Sequence, residues 1–432
     1  MQQDRFDLPL STTSHKARDL YVDAIDRILA ADAGVDETLT RAIEEDPQFA
    51  LAHAALARQH QLRARPKQAR ASAQLATQLV DKATERERQH VAIIDNLIAG
   101  NIPKSLEQTR QHIQAYPRDA FALDPACGVF GSIGFSGRTG REAEQLALLE
   151  PLAPHYGDDW WFLTVHAFAL LETGQWARGR ELVERALELR PTSSHGAHTL
   201  VHALFEAGAD NDAKQFMTDW LPDADRNSLL HCHIWWHFSL LLMFTGNQDA
   251  AFQAFSENCL PGTTDSPSIN VFTDSVSFLW RAELAGAERD VHLWEQLSTY
   301  YNEQFHRPIV FVDAHLGLVY AALGETEKLD ACIAELQTLG AAKKLPAGTT
   351  AALLTRAYKA FAAKQWDGAI ELLESVMGDL VRIGGSRAQR DLQTNTLIAA
   401  YTNAGRAADA ERFVSKSSDR QPSRPIGGFA AS

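Results

Sequence analysis

Apolar positions recur along much of this chain at helical spacing, and the clearest unit is residues 160–191, WWFLTVHAFALLETGQWARGRELVERALELRP. This stretch contains two amphipathic helical segments that meet at Gly174, where glycine permits the left-handed cap that ends a helix. Gly179 and Ala186 are small enough to let the two helices approach closely, and Pro191 stops the second helix. The pattern predicts an antiparallel helical hairpin.

The hairpin pattern repeats along the chain. Gly208 follows Gly174 by 34 residues, and turn glycines recur at Gly246, Gly286 and Gly324, each before an apolar helical stretch. This unit and its period resemble the tetratricopeptide repeat (TPR), which stacks helical hairpins into a superhelix. No stretch alternates between apolar and polar residues as a strand would. We therefore predict an all-α, TPR-like superhelix, or solenoid, of about nine hairpins.

Two stretches interrupt the repeat. Residues 124–140, DPACGVFGSIGFSGRTG, contain five glycines and predict a loop or a distorted hairpin, and residues 260–270 predict a long turn. Because repeat arrays extend one continuous core, residues 1–418 are expected to form a single domain. The polar, glycine- and proline-containing residues 419–432 are expected to be disordered.

Composition narrows the classes of partner and the compartment. The formal net charge is −14, which repels phosphate backbones and anionic lipids, so we expect neither a nucleic acid nor a membrane partner. The four cysteines are far apart in sequence and include no CxxC pair, as is typical of reduced thiols. The N-terminal residues carry no secretion signal. These features predict a cytoplasmic protein.

Histidines are concentrated in two motifs, HGAHTLVH at residues 195–202 and HCHIWWH at residues 231–237. His198 and His202 are separated by four residues, as are His233 and His237, so each pair lies on one face of its helix. Two such pairs on neighbouring helices can bring four imidazoles to one centre. That arrangement suits a transition metal such as Zn, Cu or Fe, although each histidine could instead be a packed, hydrogen-bonded core residue.

Other polar residues occur in the apolar first helices of later repeats. Asp274 and Arg281 lie in FTDSVSFLWR, Asp313 and His315 in FVDAHLGL, and Arg390 in GGSRAQRD. A buried charge must be paired, so these residues are either structural ion pairs between repeats or polar anchors for a ligand. We predict that they join the four histidines around one cavity.

Nearly the whole chain resembles the uncharacterised tetratricopeptide-repeat protein 38 family. The resemblance is carried by TERERQH, YPRDAFAL, AHTLVHALFEAG, CHIWWHFSL, DSVSFLWR, DAHLGL and GGSRAQRDLQTNTLIAA. It implies a helical-repeat fold and includes, as matched positions, His198, His202, His233, Trp236, His237, Asp274, Trp280, Arg281, Asp313, His315, Arg390 and Asp391. The family tends to have a Glu-Met pair after its HxxxH motif, where this chain has Phe205 and Glu206. It also has histidine where this chain has Arg387. If these residues contact a ligand, the two departures imply a different ligand or the loss of part of the site.

Three functions are compatible with these patterns. The first is a protein that binds a small molecule or short peptide in a concave cavity lined by His198, His202, His233, His237, Asp274, Arg281, Asp313, His315 and Arg390. The second is a metal-dependent enzyme that uses the four paired histidines, although the chain has no HExxH, GxSxG or P-loop motif. The third is a protein–protein interaction scaffold, and a homo-oligomer is compatible with each of them.

The distribution of these motifs also predicts closure of the superhelix. Polar motifs in repeats that are far apart in sequence can contribute to one site only if the fold brings them together around one cavity. We therefore expect residues 384–391, GGSRAQRD, to approach the groove that carries the histidines.

Overall fold

The computed structural model describes residues 2–416, and they form successive antiparallel helical hairpins. Three regular hairpins begin the chain, after a short antiparallel pairing of β1 Gln2–Gln3 with β2 Pro9–Leu10. Their helices are α1 His15–Ala30, α2 Val35–Glu45, α3 Ala50–Leu62, α4 Pro66–Gln78, α5 Glu85–Ile98 and α6 Ile102–Ala115. Apart from this two-residue pairing, the described residues have no sheet, so the all-α prediction is confirmed.

An irregular segment follows at the position where the sequence predicts an interrupted repeat. Residues 127–140 contain turns and no helix, and Phe130 stacks on Phe135 there with ring centroids 5.2 Å apart. The helices of this region are α7 Ala120–Leu123, α8 Arg141–Leu149 and α9 Ala153–Tyr156. The glycine-rich stretch therefore replaces part of a hairpin by a loop.

Seven further regular hairpins complete the described chain. They comprise α10 Trp160–Glu172, α11 Trp176–Leu189, α12 Ser194–Glu206, α13 Asp210–Trp220, α14 His231–Phe244, α15 Gln248–Asn258, α16 Ser268–Leu284, α17 Val291–Gln304, α18 Val310–Leu323, α19 Thr326–Ala341, α20 Gly348–Ala362, α21 Trp366–Val376, α22 Arg387–Asn403 and α23 Ala407–Lys416. Short 3₁₀ helices span Val80–Lys82, Asp124–Ala126, Glu150–Leu152, Leu221–Asp223 and Met377–Ile383. Residues 2–416 thus hold ten regular pairs, where the sequence pattern predicted about nine.

The α10–α11 hairpin shows how the repeat is built. Gly174 adopts φ +84°, and the following backbone N–H of Gln175 donates to the carbonyl of Leu170, which ends α10 with satisfied carbonyls. At Gly179 an added Cβ would lie 2.8 Å from Leu171 Cδ2, so only glycine allows this approach of the two helices without a shift. The turn and contact residues identified in the sequence therefore act as predicted.

The helices of each later hairpin have different surroundings. All residues of α10 from Trp161 to Glu172 are buried, whereas α11 buries only Gly179, Val183 and Ala186. The same contrast recurs downstream, so α10, α12, α14, α16, α18 and α20 form an inner layer in which each helix contacts the next. Polar side chains on these inner helices are consequently withdrawn from solvent.

The superhelix closes on itself. Arg141 Nε donates to the carbonyl of Val381 at 2.7 Å, and Arg387 Nε donates to Glu206 Oε1 at 3.0 Å, on the same helix as His202. The closure prediction for residues 384–391 is therefore confirmed.

The N-terminal hairpins also reach the middle of the chain. The N–H of Leu229 donates to the carbonyl of Ala31 at 3.0 Å, and Arg63 Nη2 donates to the carbonyl of Asn227 at 2.7 Å. With both ends packed against the middle, the accessible surface is 17693 Å². A compact globular protein of this mass has roughly 16,000 Å². The solenoid is thus compact instead of extended.

Two expectations concern the ends of the chain and its compartment. The tail predicted at residues 419–432 lies outside the described residues. None of the helices within residues 2–416 is both long and apolar enough to cross a membrane.

Candidate functional site

Four histidines meet in the interior of the solenoid, on two adjacent inner helices. His198 and His202 project from α12, and His233 and His237 from α14. All four are buried, and each offers a potential ligand atom within 4.8 Å of those of the other three. The i, i+4 spacing seen in the sequence therefore produces one cluster, which we call the histidine cluster.

The rings of the histidine cluster contact one another directly. Nε2 of His202 lies 3.0 Å from Nε2 of His198, so one ring must donate a proton to the other. The ring centroids of His202 and His237 are 4.7 Å apart, and those of His198 and His233 are 4.9 Å apart. Contacts of this kind are compatible with neutral rings and strongly unfavourable for four charged ones.

Burial favours the neutral form of three of the rings. It lowers the pKa of His198 and His237 well below the ordinary histidine value, with neighbouring rings adding to the effect. Burial likewise lowers the pKa of His202 to about 3. A neutral imidazole carries the free lone pair that a metal ligand requires.

One histidine is oriented by a carboxylate from the next inner helix. Asp274 on α16 is fully buried, and its Oδ2 accepts a hydrogen bond from His233 Nδ1 at 2.8 Å. This bond fixes the tautomer of His233 and leaves the lone pair on Nε2. A carboxylate behind a histidine is the usual arrangement around a metal-ligating imidazole.

Several ring nitrogens of the cluster are buried without a hydrogen bond. They are His198 Nδ1, His202 Nδ1 and His237 Nε2, none of which has a partner among the described residues. Each such atom costs about 1–3 kcal/mol when buried. The cost argues against packing as the sole reason for these three residues.

Aromatic residues surround the histidine cluster. The ring of Trp236 stacks on that of His233 at 5.1 Å, and Phe168 contacts both His198 and His202. On its far side, Trp236 meets the guanidinium of Arg281, whose Cζ lies 5.6 Å from the ring centroid. The cluster is therefore enclosed in an apolar shell on these sides.

A cavity of about 200 Å³ adjoins the cluster at His198 and His233. Its other walls come from α1, α3, the loop of residues 127–131, and the segment before α14. Hence the N-terminal hairpins that close the superhelix also form the chamber beside the histidines.

Arg281 and His315 lie behind this cluster and not in it. Arg281 donates to Ser277 Oγ and, at 2.8 Å, to the carbonyl of Ala388, and burial lowers its pKa to about 10. His315 Nδ1 bonds to the carbonyl of Phe311 at 2.7 Å, and burial lowers its pKa to about 4. Both residues lie within the electrostatic influence of Asp274, whose charge partly offsets the lowering of the pKa of each.

Asp313 and Arg390 require a correction, because the structure places them elsewhere. Asp313 accepts hydrogen bonds from the Tyr301 hydroxyl at 2.5 Å and from the N–H of Ile309 at 2.7 Å, near the start of α18. Arg390 pairs with Glu142 and lies 3.7 Å from Glu172, within the contact that closes the superhelix. Their charges are satisfied by these partners, which explains why they do not turn towards the histidines.

A second buried polar group, which the sequence reasoning did not assemble, lies in the N-terminal hairpins. The carboxylate of Asp119 accepts from Arg86 at 2.6 Å, His112 Nε2 at 3.0 Å and His90 Nδ1 at 3.2 Å. Although burial raises the pKa of Asp119, His90 and Arg86 together hold it well below the usual range. The group is an ion network in which Arg86 Nε and His90 Nε2 make no hydrogen bond within the described residues. Its only sequence signal is the TERERQH and YPRD motifs.

Two cavity residues also went unpredicted. Arg58 on α3 and Asn270 on α16 line the same chamber as His198 and His233. Neither lies in a motif with metal- or ligand-binding spacing, so the sequence offers no signal for them. They can be recognised as cavity residues only from the tertiary structure, in which the N-terminal hairpins pack against the middle of the chain.

The helix pairing and the buried polar centre define a class of protein, an all-α, TPR-like solenoid. No protein-family model matches the chain. It is similar to a chain of the APC/C hetero-tetramer Cut9-Hcn1, with 12% identity over 93% of this chain and 86% of that one, at a TM-score of 0.39. It is also similar to human IFIT1, solved as a dimer with m7Gppp-AAAA, with 16% identity over 96% and 75% of the respective chains, at a TM-score of 0.34.

Proposed function

We propose that this protein binds a small ligand in the cavity beside the histidine cluster, and that the cluster holds a transition metal ion whose charge acts on that cavity. The observation that carries the proposal is the convergence of four buried imidazoles, whose potential ligand atoms all lie within 4.8 Å of one another. Membership of the tetratricopeptide-repeat protein 38 family belongs to the same proposal, because most of its matched positions surround this centre.

Ligand type and geometry both favour a metal. Zinc binds histidine nitrogen at about 2.0–2.1 Å in tetrahedral sites, which places the nitrogens about 3.4 Å from one another. The cluster spans 3.0 Å between His198 and His202 and at most 4.8 Å overall. Small side-chain rotations would bring it to that geometry, and Cu, Ni or Fe are served by the same imidazole ligands.

Asp274 provides independent support. A histidine that only packs in the core has no need of a buried carboxylate, and burying one is costly. Here Asp274 holds the Nδ1 side of His233, while its Oδ1 has no hydrogen-bond partner in the described chain. A cation at the cluster would offset this negative charge.

The cavity supports a ligand-binding role for the centre. Only His198 and His233 of the cluster line it, so the ion would contact the chamber on one side and be enclosed by protein on the others. A catalytic zinc site keeps one coordination position for water or substrate. Four protein ligands instead favour a structural ion, and we therefore place binding ahead of catalysis.

The test is elemental analysis of protein purified without a metal-affinity tag. We expect close to one equivalent of a transition metal in the wild type and none in the double variant His202→Ala/His237→Ala, with helical circular dichroism retained. The matched control is His53→Ala/His166→Ala, which removes two buried histidines outside the cluster and should keep the metal. A wild type that neither contains nor takes up Zn²⁺, Cu²⁺, Ni²⁺ or Fe²⁺ would overturn the proposal.

A further inference from the structure

The chamber beside the histidine cluster is mainly apolar. It lies between the N-terminal hairpins and the inner helices α10, α12, α14 and α16. Its apolar walls include Ile28, Leu62, Val129, Phe130, Phe168 and Leu230. Walls of this kind favour a ligand with a hydrocarbon or aromatic body.

Its volume indicates how large a body it can enclose. A cavity of 150 Å³ lined by aliphatic and aromatic side chains binds benzene. The chamber is about 200 Å³. It can therefore hold one ring, or a chain of similar bulk, together with one small polar group.

Hydrogen-bond donors predominate among the polar groups of the wall. Asn270 is 3% exposed, and its Nδ2 makes no hydrogen bond to any residue of the described chain. Arg58 uses Nη1 on Gln61 Oε1 at 2.8 Å and Nη2 on Asp124 Oδ2 at the long distance of 3.4 Å, while its Nε is buried with no partner in residues 2–416. These unpartnered donors favour a ligand whose polar group is an acceptor.

Charge decides which acceptor is favoured. Among the described residues of the wall, Asp124 is the one carboxylate, and its formal charge offsets that of Arg58. A divalent ion on the histidine cluster would make the chamber electropositive. An anionic acceptor is then preferred over an amide or an alcohol, because a hydrogen bond between a guanidinium and a charged acceptor is stronger than one to a neutral acceptor.

We propose that the chamber binds a small monocarboxylic acid with an apolar body of about one ring, and that Arg58 and Asn270 hold its carboxylate. The preference for an anion depends in part on the metal ion proposed above, whereas the shape of the chamber and its donors do not. The apolar body would lie against Phe130, Phe168 and Leu230.

The experiment measures binding of phenylacetate and of phenylacetamide, which has nearly the same shape and no charge, by isothermal titration calorimetry. Zinc-loaded and chelator-treated full-length protein are compared. Variants are Arg58→Gln and Asn270→Ala, and the matched control is Arg65→Gln, which removes a guanidinium paired with Asp36 outside the chamber. Circular dichroism and zinc content establish that each variant is folded and loaded.

We expect the wild type to bind phenylacetate at least tenfold more tightly than phenylacetamide. Arg58→Gln should bind phenylacetate more weakly than the wild type by about tenfold or more, because it loses a charged hydrogen bond. Arg65→Gln should bind like the wild type. Equal affinity for the two probes, equal affinity of Arg58→Gln and wild type, or no binding of phenylacetate to a protein that does hold zinc would overturn the assignment. Arg58-dependent binding of phenylacetate by a protein that takes up no metal would support the assignment and refute the metal centre alone.

Discussion

At the scale of single residues, histidine spacing was informative, because a helix face fixes which side chains meet. His198, His202, His233 and His237 were placed together by the i, i+4 rule and by the adjacency of successive repeats. Asp313 was misplaced because its own helix terminus offers it the N–H of Ile309, and such local competition cannot be read from spacing. Asn270 was missed because an isolated asparagine in a helix carries no signal.

Asp274 allows a sharp test at this scale. In Asp274→Asn the amide oxygen still accepts from His233 Nδ1, but the negative charge behind the imidazole is lost. Partners of this kind are worth about 10- to 100-fold in metal affinity, so zinc affinity should fall by that factor with the fold retained. Competition with a chromophoric chelator measures it.

The matched control is Asp313→Asn, which neutralises another buried carboxyl on an inner helix outside the cluster. Zinc affinity in this variant should equal that of the wild type. A loss of the same size in both variants would show that Asp274 acts through stability and does not orient a ligand.

At the scale of elements, the sequence predicted the hairpins well and the contacts between distant hairpins only in outline. Turn glycines and small contact residues such as Gly179 specify each hairpin locally. The closing contact instead depends on ion pairs between residues about 180 to 250 positions apart, such as Arg387 with Glu206 and Arg390 with Glu142. The motif GGSRAQRD indicated that residues 384–391 approach the middle of the chain, but it did not indicate which acidic residues would pair with its arginines.

Glu206 should make this closing contact pH-dependent. Burial raises the pKa of Glu206 to about 7, although Arg387 lowers it, whereas an unfolded glutamate titrates near 4.5. The native state therefore binds this proton more tightly, so the stabilisation is fully present below about pH 4.5 and is lost as the pH rises to about 7. Relative to Glu206→Gln, the wild type should lose up to about 3 kcal/mol of unfolding free energy across this range.

Urea unfolding at pH 5, 6, 7 and 8 measures the difference between the two proteins. The control is Glu184→Gln on α11, which removes one negative charge from an exposed pair with Arg180. If the difference between wild type and Glu206→Gln is constant from pH 5 to 8, the carboxyl stays ionised beside Arg387 and the prediction is wrong.

At the scale of the whole molecule, closure is what converts a repeat array into a protein with an interior. An open solenoid would expose the concave faces of its inner helices, and the histidine cluster would be accessible to solvent. Contacts of the residues that directly follow α1 and α3 with residues 227–229, and of residues 381–387 with α8 and α12, instead cover that face. The polar residues of the inner layer are consequently buried, as a selective internal site requires.

The compact shape can be measured in solution, and it should depend on the closing contact. A globular chain of this length has a radius of gyration of about 22 Å, which small-angle X-ray scattering should return for the wild type. In Arg141→Ala/Arg390→Ala, bonds to Val381 and Gly385 are lost and the pairing with Glu142 is removed. Buried acids left without cations favour separation of the two segments, so the radius should rise while helical circular dichroism stays unchanged. The control is Arg178→Ala/Arg185→Ala, which removes two exposed arginines and should keep the wild-type radius. An unchanged radius in both double variants would contradict the prediction. It would mean that apolar contacts such as that of Phe130 with Phe311 are sufficient to close the superhelix.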